Sequence, residues 1–239
     1  MTLRSFTLHD QIERNALLHG SGTAFVADGQ SITHAQYAAR VASLAAGLAG
    51  EGITVGDRVA ILAHNGQAYV DVIGAAARLG ALVVPINWRL SAEEVAHVLS
   101  DTTPKVLIVA PELQPLVAGA DLEGVRKYTT GPGLDAGADW SALASLYLEG
   151  AAPTPAAIGD DAGLLIVHTA AVGGRPRGAV LSHRGLLAAA TKSAHAWNLT
   201  GADVQVGVLP LFHLAGIGMT LALMVAAGAT VLLPRFDPK

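Results

Sequence analysis

Four short runs decide what this chain can become: RVAILAH (58–64), ALVVPI (81–86), KVLIVA (105–110) and LLIVH (164–168) are almost continuously apolar and rich in β-branched residues. A strand with one face in water alternates polar and apolar residues, whereas a strand covered on both faces does not. Helical patterns of about ten to fifteen residues separate these runs, the rhythm of βαβ units. The fold class expected is therefore α/β, a layered α/β/α arrangement around a largely parallel sheet.

Local signals place the helices between the strands. From Leu8 to Leu17 the apolar residues recur at helical spacing and Gly20 closes the run. TAFVA, then DGQ as a turn, then SIT read as a hairpin. Thr33 with Gln36 and Ser91 with Glu94 form capping boxes that open two helices. Stretches 130–139 and 149–161, rich in Gly, Pro and Ala, read as linkers. The second linker suggests a first α/β subdomain over 1–150 and the start of a second over 160–239.

Composition removes several function classes. With 15 Lys and Arg against 19 Asp and Glu, a net charge of -4 and no basic run, the footprint of a nucleic-acid binder is missing. Zero cysteines exclude a disulfide framework and any Cys-based metal site, and none of the nine histidines stands at a metal-ligand spacing such as His-Glu-x-x-His. No metal site is expected, and a cytoplasmic protein is. Only 14% of the residues are charged, against about 25% in ordinary soluble domains. Exposed apolar surface is therefore expected near 214–233 and near 169–178, or covered in a homodimer.

Leu214 to Leu233 is uncharged over the roughly 20 residues that a spanning helix needs. Gly216, Gly218 and Gly228 interrupt it, and the residues after Gly228 read as a β-branched strand closed by a proline. A buried helix terminated at Gly228 and followed by a strand is expected, with no integral membrane span. A membrane protein is the rival reading of this run.

Chemistry concentrates in two places. After LLIVH comes TAAVGGRPRG (169–178) and then AVLSH, a strand whose Ser182 caps a helix. Small residues let backbone N–H groups approach an anion, and Arg175 and Arg177 add planar, phosphate-matching charge. A surface hairpin with solvated arginines is the plain alternative. The Walker pattern is not met, because no Gly-Lys-Ser/Thr follows. The second place is LPLFHLAG, where His213 lines a pocket or satisfies a core hydrogen bond.

Taken together, these motifs resemble the adenylate-forming enzymes. Thr169, Ala170, Ala171, Val172, Gly173, Gly174, Arg175, Pro176, Arg177 and Gly178 are similar to that superfamily's signature loop, T-S-G-T-T-G-x-P-K-G, which is also followed by a strand ending in Ser-His. PLFHLAG resembles its next motif, and GITVGDRVAIL, ARLGALVVPINWRLSAEEV, KVLI and GATVLLPRFDP follow its order. PINWRL is most similar to acyl-CoA synthetases. The resemblance implies a carboxylic acid joined to ATP, with Mg2+, and then passed to coenzyme A as a thioester. It implies β- and γ-phosphate handling by 169–178 and an acyl pocket at Phe212 and His213.

Two departures accompany the likeness. The family's hydroxyl positions are here Ala170, Val172 and Gly173, its first glycine is Ala171, and its lysine is Arg177. Hydrogen bonds to charged groups contribute about 1.5–3 kcal/mol each, so three lost hydroxyls would cost roughly 4–9 kcal/mol if nothing replaced them. A variant phosphate grip and a degenerate binding module are both open. The adenine-binding segment, the ribose-binding Asp and the lid with its catalytic lysine would lie beyond Lys239. The expectation is an N-terminal portion that is inactive alone.

Overall fold

The computed structural model describes residues 6–131, 139–169 and 175–234. Helix α1 (Leu8–His19) leads into a hairpin of β1 (Thr23–Ala27) and β2 (Gln30–Thr33), then α2 (His34–Gly50). The βαβ rhythm follows: β3 (Arg58–Leu62), α3 (Gln67–Leu79), β4 (Leu82–Pro85), α4 (Ala92–Thr102) and β5 (Val106–Val109). A 3-10 turn (Pro111–Val117), β6 (Arg126–Thr129), β7 (Ser141–Ala142) and a second 3-10 turn (Leu143–Leu146) precede β8 (Gly163–His168) and β9 (Gly178–Ser182). The described chain closes with α5 (His183–Ala196), β10 (Val204–Gly207), α6 (Leu214–Val225) and β11 (Ala229–Leu232).

The main sheet has seven strands in the order β7-β6-β5-β3-β4-β8-β9, parallel except where β9 returns against β8. Period-two side-chain alternation divides its residues between two layers. Val59, Ile61, Val83, Val106 and Ile108 join one core with α2 and α3. Ala60, Leu62, Val84, Leu107 and Val109 join another with Val95, Val98 and Leu99 of α4. Helices cover both faces, as the unbroken apolar runs require.

The structure adds a second sheet that local patterning did not show. Its order is β10-β11-β1-β2, with β1 parallel to β11 in the register Phe25↔Thr230, Val26↔Val231, Ala27↔Leu232. Periodicity identifies a hairpin but not a partner some two hundred residues away. Each sheet therefore draws strands from both sides of the 149–161 stretch. That stretch is a strap, held by Arg78, whose Nε donates to Pro153 O (2.9 Å) and whose carbonyl accepts from the Ala156 N–H (2.9 Å). Most of the other linker, 132–138, lies outside the described residues.

Both capping boxes form. The Gln36 N–H donates to Thr33 Oγ1 and the Thr33 N–H to Gln36 Oε1; Ser91 and Glu94 reciprocate in the same way. The 214–233 run is a buried helix and then a strand, and no helix among the described residues is long and apolar enough to cross a membrane. The terminator differs by one residue. The left-handed position is Ala227 (φ 59), and Gly228 is small for another reason: a Cβ there would stand 2.6 Å from Leu223 Cδ1 and 2.8 Å from Asp203 O. Val180 on β9 and Val204 and Val206 on β10 are exposed, as are Val208, Leu209 and Leu214. Both strands are sheet edges. Of these residues only Leu214 falls within 214–233, and further large apolar side chains are exposed elsewhere, among them Leu17, Leu18, Val55 and Trp197.

Buried imidazoles join the N-terminal helix to the rest. The Leu8 N–H donates to His183 Nδ1 (3.1 Å), so the ring's proton sits on Nε2. Burial pushes the His183 imidazole down to about 4, and burial also lowers His9 and His34. An unfolded His183 takes up a proton below about pH 6.5, whereas the folded one does so only below about 4. The unfolded state binds more protons in that window, so stability falls as pH falls through it. On the scale of 1.36 kcal/mol per pK unit, His183 removes about 2 kcal/mol between pH 7.5 and pH 5. Urea titrations at the two pH values should show this loss. His183→Gln should show a smaller one, with the remainder from His9 and His34.

Candidate functional site

The parallel strands β3, β4 and β8 all end on the same side of the main sheet, where ligands of open α/β folds usually bind. Outside the ends of β4 and β8 lies a cleft of about 640 Å³. Ile86, Val98, Leu181 and Phe212 give it apolar walls, while Thr169 and His213 bring polar groups. Its size and mixture suit a small molecule with an apolar body and a polar end.

The two motifs singled out in the sequence meet here. Thr169 and Pro176, from the two legs of the signature loop, line the cleft together with Phe212 and His213. The hairpin stem closes where His168 pairs with Gly178 and the Thr169 N–H donates to Arg177 O (3.0 Å). Arg175 lines an adjoining groove over the start of α4, and Arg177 is exposed. Neither guanidinium is in an ion pair among the described residues. Ala170, Ala171, Val172, Gly173 and Gly174 lie outside the described residues.

His213 is the N-cap of α6 rather than a core histidine. Its Nδ1 accepts from the Ala215 N–H (3.1 Å), which assigns the neutral ring's proton to Nε2 and makes that nitrogen a donor. Phe212 is buried and meets Trp88 edge-on, with ring centroids 5.9 Å apart. Trp88 meets His64 in the same manner at 4.9 Å, and the Arg89 guanidinium lies 4.8 Å from the Trp88 ring centre.

Sequence patterning missed the residue that holds this segment in place. Asn65, just past β3, is buried; its Nδ2 donates to Gly207 O (3.2 Å) and Leu209 O (2.9 Å), and its Oδ1 accepts from the Leu211 N–H (2.8 Å). Asn-Gly after a strand reads locally as a turn, and only its placement at a strand's carboxyl end hinted at more. Helix α4 was also unrecognised as part of the site. His97 Nε2 donates to Pro176 O (3.0 Å), and His168 Nε2 donates to Asp101 Oδ2 (3.0 Å).

A doubly covered parallel sheet, with a hairpin stem and a capping histidine meeting at a cleft outside its strands' carboxyl ends, defines an α/β fold of the small-molecule-binding kind. The chain belongs to the AMP-binding enzyme family, whose model matches residues 12–239. It is 34% identical to the feruloyl-CoA synthase of an Amycolatopsis species over 226 residues, covering 94% of this chain and 43% of that protein. It is 34% identical to the indoleacetate–CoA ligase of Aromatoleum aromaticum, covering 96% of this chain and 46% of that protein. The crystal structure of the N-terminal domain of FACL13 from Mycobacterium tuberculosis superposes with a TM-score of 0.82 at 30% identity, covering 97% of this chain and 58% of that one. The chain thus matches the N-terminal part of adenylate-forming acyl-CoA ligases and spans less than half the length of the two sequence relatives.

Asn65→Ala should remove all three side-chain hydrogen bonds to the 207–211 segment and leave the buried Leu211 N–H without its acceptor. At about 1 kcal/mol per bond, the expected loss is roughly 3 kcal/mol in urea unfolding. An unchanged midpoint would show that the segment holds itself.

Proposed function

We propose that this chain is the acid- and phosphate-binding portion of a carboxylic acid–coenzyme A ligase. The observation that carries the proposal is the convergence of the 169–178 hairpin stem and Phe212–His213 on one cleft, in a chain of the AMP-binding family. In the reaction, an acid oxygen attacks the α-phosphorus of ATP, pyrophosphate leaves, and an acyl-adenylate remains. The thiol of coenzyme A then attacks the acyl carbon, losing its proton, and AMP leaves.

Each residue has a task in that scheme. Arg175 and Arg177 face the β- and γ-phosphates, supported by the backbone of 170–174. The Nε2–H of His213 meets the polar end of the acid, and the Phe212 wall meets its apolar body. Mg2+ supplies charge neutralisation on the phosphate oxygens, where it is normally held by the nucleotide and one or two protein groups. The names of the relatives, a feruloyl-CoA synthase and an indoleacetate–CoA ligase, support an organic acid as substrate without choosing one.

The missing hydroxyls at 170, 172 and 173 favour a second reading, a degenerate module that keeps the fold and the acyl pocket but not the ATP chemistry. Acid-dependent exchange of labelled pyrophosphate into ATP, measured on the full-length parent across aliphatic and aromatic acids, tests the enzyme. Exchange is expected with at least one acid from the parent and with none from residues 1–239 alone. No exchange from the parent with any acid would sink the proposal. In the parent, Ala170→Ser with Val172→Thr and Gly173→Thr should change ATP affinity by less than tenfold. A gain of several hundredfold would favour degeneracy.

A further inference from the structure

We propose that α4 is a brace for the hairpin of β8 and β9, with His97, Asp101 and His168 as positioning residues that fix the stem of the 169–178 loop. The proposal rests on the reading of that loop as the phosphate loop. His97 and Asp101 stand one helical turn apart, four residues on one face of α4. From that face they reach both legs of the hairpin, His97 at Pro176 on the outgoing leg and Asp101 at His168 on the incoming one.

The donor and acceptor roles are settled by the partners. A peptide carbonyl and a carboxylate oxygen can only accept here, so both imidazoles present Nε2–H. His168 is the better buried member of its pair, with 8% of its side chain exposed against 45% for Asp101. The hairpin's own ladder ends at His168↔Gly178 and the Thr169–Arg177 contact, and among the described residues the hydrogen bond beyond that point on the outgoing leg comes from the helix.

Gly178 completes the fit. A Cβ at this position would lie 2.8 Å from Ile166 Cγ2 and 3.4 Å from both Cε1 and Nε2 of His168. A side chain at 178 would clash with Ile166 of the neighbouring strand β8 while only touching the His168 ring. The glycine that ends the loop motif is thereby explained by the close packing of the hairpin's two strands and not by an unusual backbone angle.

The brace can be read without any ligand, because trypsin cuts after Arg177 while Pro176 blocks cutting after Arg175. Cleavage of a folded chain tracks the population of the locally open form when reclosing is fast. For residues 1–239, His97→Ala and Asp101→Ala should each speed the cut between Arg177 and Gly178 about five- to tenfold, the weight of one hydrogen bond. The double variant should exceed either, with the thermal midpoint within about 3 °C of the parent chain. His97→Gln, which places an amide donor near the same point, should restore slow cutting. Asp101→Asn, on an exposed side chain, supplies a milder variant if the alanines unfold the protein, and should cut at an intermediate rate. Equal cutting rates in a folded double variant, or no rescue by glutamine, would overturn the brace. ATP with Mg2+ added to the same digestion should protect the wild-type chain, with half-protection needing several-fold more nucleotide in the alanine variants. No protection of the wild type at millimolar nucleotide would end the phosphate-loop reading for this chain, and the cutting rates would then decide the brace alone.

Discussion

Strand β3 is the constraint on which the rest depends. Val59 to Leu62 are wholly buried, and the strand is paired along both edges, to β4 and to β5. A buried strand must have its backbone groups satisfied and both faces covered. The first demand fixes two parallel neighbours; the second fixes helices on opposite faces, because β4 lies on one side of β3 and β5 on the other. The crossovers through α3 and α4 then leave their loops at the carboxyl ends, and the cleft opens beside the β4–α4 loop, between α4, the β8–β9 hairpin and Phe212–His213.

The same helices carry polar groups that the core must accommodate. Asp71 on α3 is fully buried and accepts from Arg40 on α2 (2.7 Å), from Gln67 (2.7 Å) and from Tyr147 (2.8 Å). Burial pushes its carboxyl above the ordinary range, and these three donors oppose the shift. A buried carboxylate with three donors is tolerable, whereas one with a donor removed is not. The network ties the segment after the second 3-10 turn to α2 and α3, and so anchors the end of the main sheet farthest from the cleft.

Much of this was legible locally. The unbroken apolar runs marked the buried strands, Thr33 with Gln36 and Ser91 with Glu94 marked helix starts, and Ser182 proved to be a cap. What escaped was whatever depends on distant partners. The pairing of β1 with β11 has no local signature, and neither does the grip of Asn65 on residues 207–211. By sequence alone, His97 and Asp101 are polar positions of the helix Ala92–Thr102 with no local mark of a partner. Their spacing gains meaning only when a hairpin is placed across that face. The family resemblance carried what periodicity could not, because order and spacing of motifs encode tertiary neighbours indirectly.

The altered loop makes the rigidity of its stem matter more. A hydroxyl or a backbone N–H is placed by the main chain, but an exposed arginine must give up as much as about 2 kcal/mol of side-chain freedom to hold one position. Its attraction for phosphate is also screened over roughly 8 Å at physiological salt. In the proposed phosphate role, the fork geometry of Arg175 and Arg177 compensates only if the chain beneath them is held still, since bidentate pairing is directional. At the stem, the Thr169 N–H donates to Arg177 O (3.0 Å), with the hydroxyl at 3.4 Å from the same oxygen. On the proposed phosphate role, a loop with small apolar residues at 170, 172 and 173 depends on what fixes the backbone at 175–178. Among the described residues that is the end of the β8–β9 ladder together with the His97 contact from α4.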